Sequence, residues 1–176
     1  MGASEFDEAY EDDSGQYERE ENDLGQGILE ATIRDLEPRS AVTVRPDTTI
    51  KSAVELMLER NIGAVVVERE GRAIGIFTER DVMRRVVAAG VDLETPIAKV
   101  MTPDPEALGL DDGIAFALNR MSVGGYRHVP IVDDEGRASA VLSLRDVVNY
   151  IVSLLPTRVI NIPPIPRLEA RSEDGG

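Results

Sequence analysis

Two short segments of this 176-residue chain end in the same arrangement, Thr78-x-x-Asp81 in GIFTERD and Ser143-x-x-Asp146 in AVLSLRD. In each, the hydroxyl and the acid stand where a strand-like apolar run gives way to a helical pattern, and each pair encloses an arginine, Arg80 or Arg145. Two chemistries suit that spacing. One is structural: a Ser or Thr at a helix N-cap and an acid three residues later satisfy exposed backbone N–H groups as a capping box. The other is ligand binding, because free N–H groups at a helix start attract anions. A carboxylate there also offers two acceptor oxygens to a diol such as that of a ribose. The sequence leaves both open.

Arg127 and His128, entering the apolar segment VPIV, are a third candidate. A basic pair in an otherwise acidic body could hold a phosphate, and the only histidine could equally be a packed residue. Catalytic constellations are missing. One His and no Cys leave no Cys–His pair, no disulfide and no thiolate metal site. GxSxG, HExxH, GxGxxG and the GxxxxGK phosphate loop do not occur. Gly124-Gly125 reads as a turn, and Asp111-Asp112 and Asp133-Asp134 lack calcium-loop spacing. Neither an enzyme nor a metal site is expected.

The elements that position these residues are written twice. Ile50, Ala53 and Met57 precede Ile114, Ala117 and Met121 by 64 residues. Val67, Gly71, Thr78, Asp81 and Val82 precede Val132, Gly136, Ser143, Asp146 and Val147 by 65. Such self-similarity sets the architecture before any local reading. Residues 28–37 read as a lead-in helix stopped by Pro38, and 41–46 as a strand. A helix at 49–61, capped by Asp47 or Thr48, precedes strands at 63–68 and 72–77 and a helix at 78–89 ended by Gly90. The second copy has a helix at 112–123, strands at 127–132 and 137–142, and a helix at 143–155. Residues 91–100 are a linker with a short helical turn.

The boundaries expected are an acidic disordered tail at 1–27, a first repeat at 28–93, a second at 94–156, and a Pro-rich extended tail at 157–176. Residues 1–25 hold ten Asp and Glu against Arg19 alone, about nine of the fourteen surplus negative charges. The body is itself acidic, which argues against a nucleic-acid partner. No run approaches a membrane span and no secretory signal is legible, so a cytoplasmic protein is expected. Phe116 points away from the Ile114, Leu118, Met121 stripe, and 143–155 is apolar nearly all round. That surplus suggests a homodimer.

GIFTERD and YRHVPIVDDEGRASAVLSLRD, with this order of elements, resemble a tandem pair of CBS domains, the Bateman module, over residues 31–155. The resemblance implies an α+β fold of two β-α-β-β-α repeats packed with pseudo-twofold symmetry around two clefts. It implies a non-catalytic regulatory sensor of an adenine nucleotide (AMP, ADP or ATP) or S-adenosylmethionine, without a cofactor, that signals to an unidentified effector protein. The alternative is a structural dimerisation module with no nucleotide. Carried over residue by residue, Asp81 and Asp146 match the ribose-binding Asp, and Thr78 and Ser143 its Ser/Thr. Arg127 and His128 fall where phosphate contacts lie, with Arg80 and Arg145 as further contacts. The base is expected near Val42, Thr43, Val44, Ala107 and Leu108, with Val65 and Pro130 on the neighbouring strand. Ala140 replaces the usual Gly, and Ile62-Gly63 stand where the second repeat has Arg127-His128. Unequal clefts follow, with the one on Asp146 expected to dominate.

Overall fold

The computed structural model describes residues 25–155. Residues 1–24 and 156–176, and with them the expectations for the acidic and Pro-rich tails, lie outside the described residues. The lead-in is not one helix. A short helix α1 (25–30) ends as Ala31 N donates to Gly27 O at 3.1 Å. Thr32 then breaks the run, because its N–H and Oγ1 both donate to Asp35 Oδ2, at 2.8 and 2.9 Å, and start a separate 3₁₀ turn, Ile33–Leu36. Residues 25–27, assigned to the tail on composition, are the first part of α1, and Gly27 lies under Leu154.

Strand β1 is only Thr43–Val44, and helix α2 runs Ile50–Arg60. Its cap is Thr49, not Asp47 or Thr48: Thr49 Oγ1 accepts from Ser52 N at 3.1 Å. The stripe Ile50, Ala53, Met57 is buried, as its 3.6-residue spacing requires. Strands β2 (Ala64–Arg69) and β3 (Arg72–Thr78) form a hairpin. Helix α3 (Glu79–Asp81) continues in wider turns over Val82–Val87, where Ala88 N reaches back to Met83 O and Val91 N to Val86 O, five residues away in each case.

After a 3₁₀ turn at Ile97–Lys99 comes a short strand β4 (Thr102–Pro103), in the place of the second repeat's first strand. Then follow α4 (Ile114–Gly124), β5 (His128–Val132), β6 (Ala138–Ser143) and α5 (Leu144–Leu154). The matching hairpin turns use Gly71 and Gly136 at φ 77° and 79°, a conformation glycine adopts without strain. The architecture is the α+β repeat pair expected.

The repeats are cross-stitched. β1 runs parallel to β2 of its own repeat, while Ser40 just before it bridges Ala140 of β6 in the other. In the second copy β4 pairs with β3 of the first repeat, Pro103 opposite Gly75, and Leu108 then bridges Ile131 of β5. The cores are exchanged in the same way. Ile33 is fully buried among Ile114, Val129 and Leu142 of the second repeat, and Ile97 among Ile50, Val65 and Phe77 of the first. Each lead-in thus completes the other repeat's core, and the gap between repeats is held on both sides.

Candidate functional site

Both capping boxes are formed, and each uses one carboxylate oxygen. Thr78 N and Oγ1 donate to Asp81 Oδ2 at 3.0 and 2.8 Å; Ser143 N and Oγ donate to Asp146 Oδ2 at 2.9 and 2.6 Å. Capping and ligand binding are therefore not rivals for the same atoms. What separates the two sites is Oδ1. At Asp81 it faces Arg85 Nη1 at 3.4 Å and accepts from Thr102 Oγ1 at 3.5 Å, and the residue is buried. At the half-buried Asp146, the described hydrogen bonds to the carboxylate all end on Oδ2.

Two clefts run along the repeat interface. The one holding Asp146, of about 590 Å³, takes Ser143 and Arg145 from the second repeat and Ile62 and Gly63 from the first. Its apolar wall includes Val42, Val54, Ile62 and Val141. Its rim carries three arginines, Arg39, Arg127 and Arg145, against two carboxylates, Glu79 and Asp146. None of the three arginines forms an ion pair among the described residues. The cleft holding Asp81, of about 730 Å³, carries four arginines and four carboxylates. Several of those are committed. Arg80 donates to the Gly125 carbonyl of the other repeat, and Glu106 accepts from both Arg120 and the Tyr126 hydroxyl.

Arg127 and His128 line both clefts, so they do not distinguish them. His128 is half-buried against Gly63, and desolvation holds its pKa below the ordinary imidazole value. Glu79 and Asp146 pull the other way, while Arg127 and Arg145 add to the depression. Of the residues expected around a base, Val42 lines the Asp146 cleft. Thr43 and Val44 open on a separate depression with Arg45, Asp47 and Glu70. Val65 and Leu108 are core residues whose side chains point into the two apolar clusters. Pro130 is buried, Ala107 is exposed, and neither lines either cleft. Val42 precedes β1 and turns into the cleft, whereas Thr43 and Val44 lie in the strand beside Glu68 and Arg69 of β2, so the three do not share one site. Arg39 and Val141 were missed. Val141 lies inside AVLSLRD, two residues before Ser143 and hence on the same face of β6, which was a readable signal.

The CBS domain family matches residues 33–88 and again residues 97–153. The chain belongs to the CBS domain family. It is a tandem CBS pair, and similar proteins share its layout. An uncharacterised 17.7 kDa protein of Acidianus ambivalens is 34% identical over 112 residues, covering 63% of this chain and 67% of that one. Of longer plant relatives the pair spans only 20% to 24%. Among solved structures, a CBS-domain-containing protein from Agrobacterium tumefaciens superposes with a TM-score of 0.63 at 33% identity, over 68% of this chain and 98% of that one. A CBS domain protein from Pyrobaculum aerophilum, complexed with AMP, superposes at 0.62 and 23% identity, over 70% and 99%. No helix of the described residues is long and apolar enough to cross a membrane.

Proposed function

We propose that this CBS pair is a non-catalytic regulatory module that binds one adenosine ligand, AMP, ADP, ATP or S-adenosylmethionine, in the cleft built on Asp146. The carrying observation is the open Oδ1 of Asp146, beside a capped helix start in a cleft lined by three arginines without an ion pair among the described residues. A ribose diol would donate to that oxygen, phosphates would meet Arg39, Arg127 and Arg145, and the base would lie on the wall of Val42, Ile62 and Val141. The AMP complex of the similar Pyrobaculum protein supports the ligand class. Because the cleft lies between repeats, a ligand changes their arrangement only by binding one arrangement better than another. An effector protein would read that change.

A homodimer through α4 and α5 belongs to the same reading. Phe116, Val148 and Val152 are large and 41% to 51% exposed, and Met83 and Val87, each 63% exposed, stand on the matching helix of the first repeat. Apolar patches beyond a few hundred Å² mark interfaces. Calorimetric titration of the full chain with the four ligands tests the proposal. One equivalent of at least one of them is expected. At about 100 times the dissociation constant, linkage adds about 2.7 kcal/mol, a melting shift of roughly 5–10 °C at this size. No binding and no shift with any ligand at millimolar concentration would leave the structural dimerisation module in its place.

A further inference from the structure

Arg85 has no counterpart in the second repeat. The residue 65 positions later is Tyr150, whose side chain packs against the second-repeat core. In the first repeat, the wide turn after α3 brings the guanidinium over the Asp81 carboxylate. One nitrogen, Nη1, stands 3.4 Å from Asp81 Oδ1 and donates to the carbonyls of Val100 at 3.1 Å and Met101 at 2.5 Å. Thr102, the next residue of that segment, supplies the other donor to Oδ1. The Asp81 side chain is left 10% exposed. The same segment enters β4, so the contact ties the carboxylate to the strand that crosses between repeats.

We propose that Arg85 is a built-in occupant of the Asp81 cleft, holding the carboxylate oxygen that a ribose hydroxyl would need and making this the weaker of two adenosine sites. The inference rests on the reading of the Asp146 cleft above. A neutral hydroxyl arriving at Asp81 must displace a charge-assisted contact and a threonine hydroxyl, whereas at Asp146 it displaces only water. Arg85 is thus a positioning residue for specificity between the clefts. Displacing it also frees the carbonyls of Val100 and Met101, so a ligand that succeeds acts directly on the inter-repeat crossing.

Adenosine is the appropriate probe, since it carries the diol without a phosphate and is insensitive to the charge lost with Arg85. Its affinity is compared in full-length Asp146→Asn, where the Asp81 cleft remains, and in Asp146→Asn combined with Arg85→Met. Removing the competitor should tighten binding about tenfold, the scale of one hydrogen bond to a charged group. Adding Asp81→Asn should abolish the gain, which a merely structural role of Arg85 would not predict. Arg85→Ala, which carries no donor, should act in the same way if the Met variant folds poorly. Equal adenosine affinity with and without Arg85, while the unmutated chain binds one equivalent, overturns this inference and leaves the sensor reading standing. Absence of binding in the unmutated chain and in every variant overturns both.

Discussion

The imidazole of His128 lies against the bare Cα of Gly63: a Cβ there would stand 2.9 Å from Nε2 and 3.0 Å from Cε1. The two residues occupy corresponding places in the two repeats, so equivalent positions meet across the pseudo-twofold. A side chain at 63 would have to push the ring of His128 aside. The Ile62-Gly63 departure in the first repeat therefore has a packing cause. Gly63→Ala should destabilise the pair by about 1–3 kcal/mol through overpacking, and His128→Ala in the same chain should recover much of that loss. Chemical denaturation of the single and double variants checks this. Additive losses would mean that the contact is not what excludes a side chain at 63.

His128 should make the fold acid-sensitive. Its pKa is depressed chiefly by burial, so the unfolded chain takes up a proton at a higher pH than the folded one. Stability is then full above the ordinary imidazole range, near pH 6.5, and declines as pH falls through that range toward the folded pKa. His128→Asn should flatten this decline between about pH 7 and 5.5, before most carboxylates titrate. Identical pH profiles of the melting midpoint in the two proteins would count against a neutral, half-buried His128.

Asp146→Asn should separate cap from ligand contact. The amide oxygen still accepts from Ser143, so the midpoint should change little. The amide nitrogen cannot accept from a ribose hydroxyl, so affinity for AMP should fall at least about tenfold. Asp81→Asn should leave the tight equivalent of AMP in place and cost at most about 1 kcal/mol, since Arg85 is partly exposed. Calorimetry on both variants decides it, and equal small losses of affinity would argue against the assignment.

Phe116→Glu should give a folded monomer if α4 and α5 form the dimer contact. Tyr150→Glu is a poorer probe, because Tyr150 is half-buried against the second-repeat core. Light scattering of the unmutated chain at micromolar concentration should report twice 19.2 kDa. A mass near the single-chain value would remove the dimer.

Ile97→Ala should cost about 2–5 kcal/mol, as for other buried large-to-small changes. Because the repeats exchange lead-ins, the loss should be felt by both. Tyr126 and Tyr150 lie in the second repeat, while Ile97 packs in the first. Tyrosine fluorescence and far-ultraviolet circular dichroism should therefore shift together in urea. A tyrosine transition unmoved by Ile97→Ala would show independent repeats.

The sequence by itself determined the repeat, the order of elements and the two Ser/Thr-x-x-Asp helix starts. Each is written in local spacing: the 3.6-residue stripe of Ile50, Ala53 and Met57, the alternation around a glycine turn, a hydroxyl three residues before an acid. Even the exchange left a trace, since Ile33 and Ile97 are 64 residues apart. It was illegible as an exchange, because spacing does not say which copy's core an isolated apolar residue enters. Tertiary structure alone decided that Thr102 and the carbonyls of Val100 and Met101 join Arg85 around Asp81 while Asp146 keeps an open oxygen. It also decided that Arg127 and His128 face both clefts and that Arg39 joins one of them. The Asp81–Arg85 pair is spaced i,i+4 and its counterpart Asp146–Tyr150 is not an ion pair, so that difference was readable locally. The contacts to Val100, Met101 and Thr102, and the placing of Arg127, His128 and Arg39 in the clefts, were not. These join residues far apart in the chain, and they depend on where strands cross between repeats.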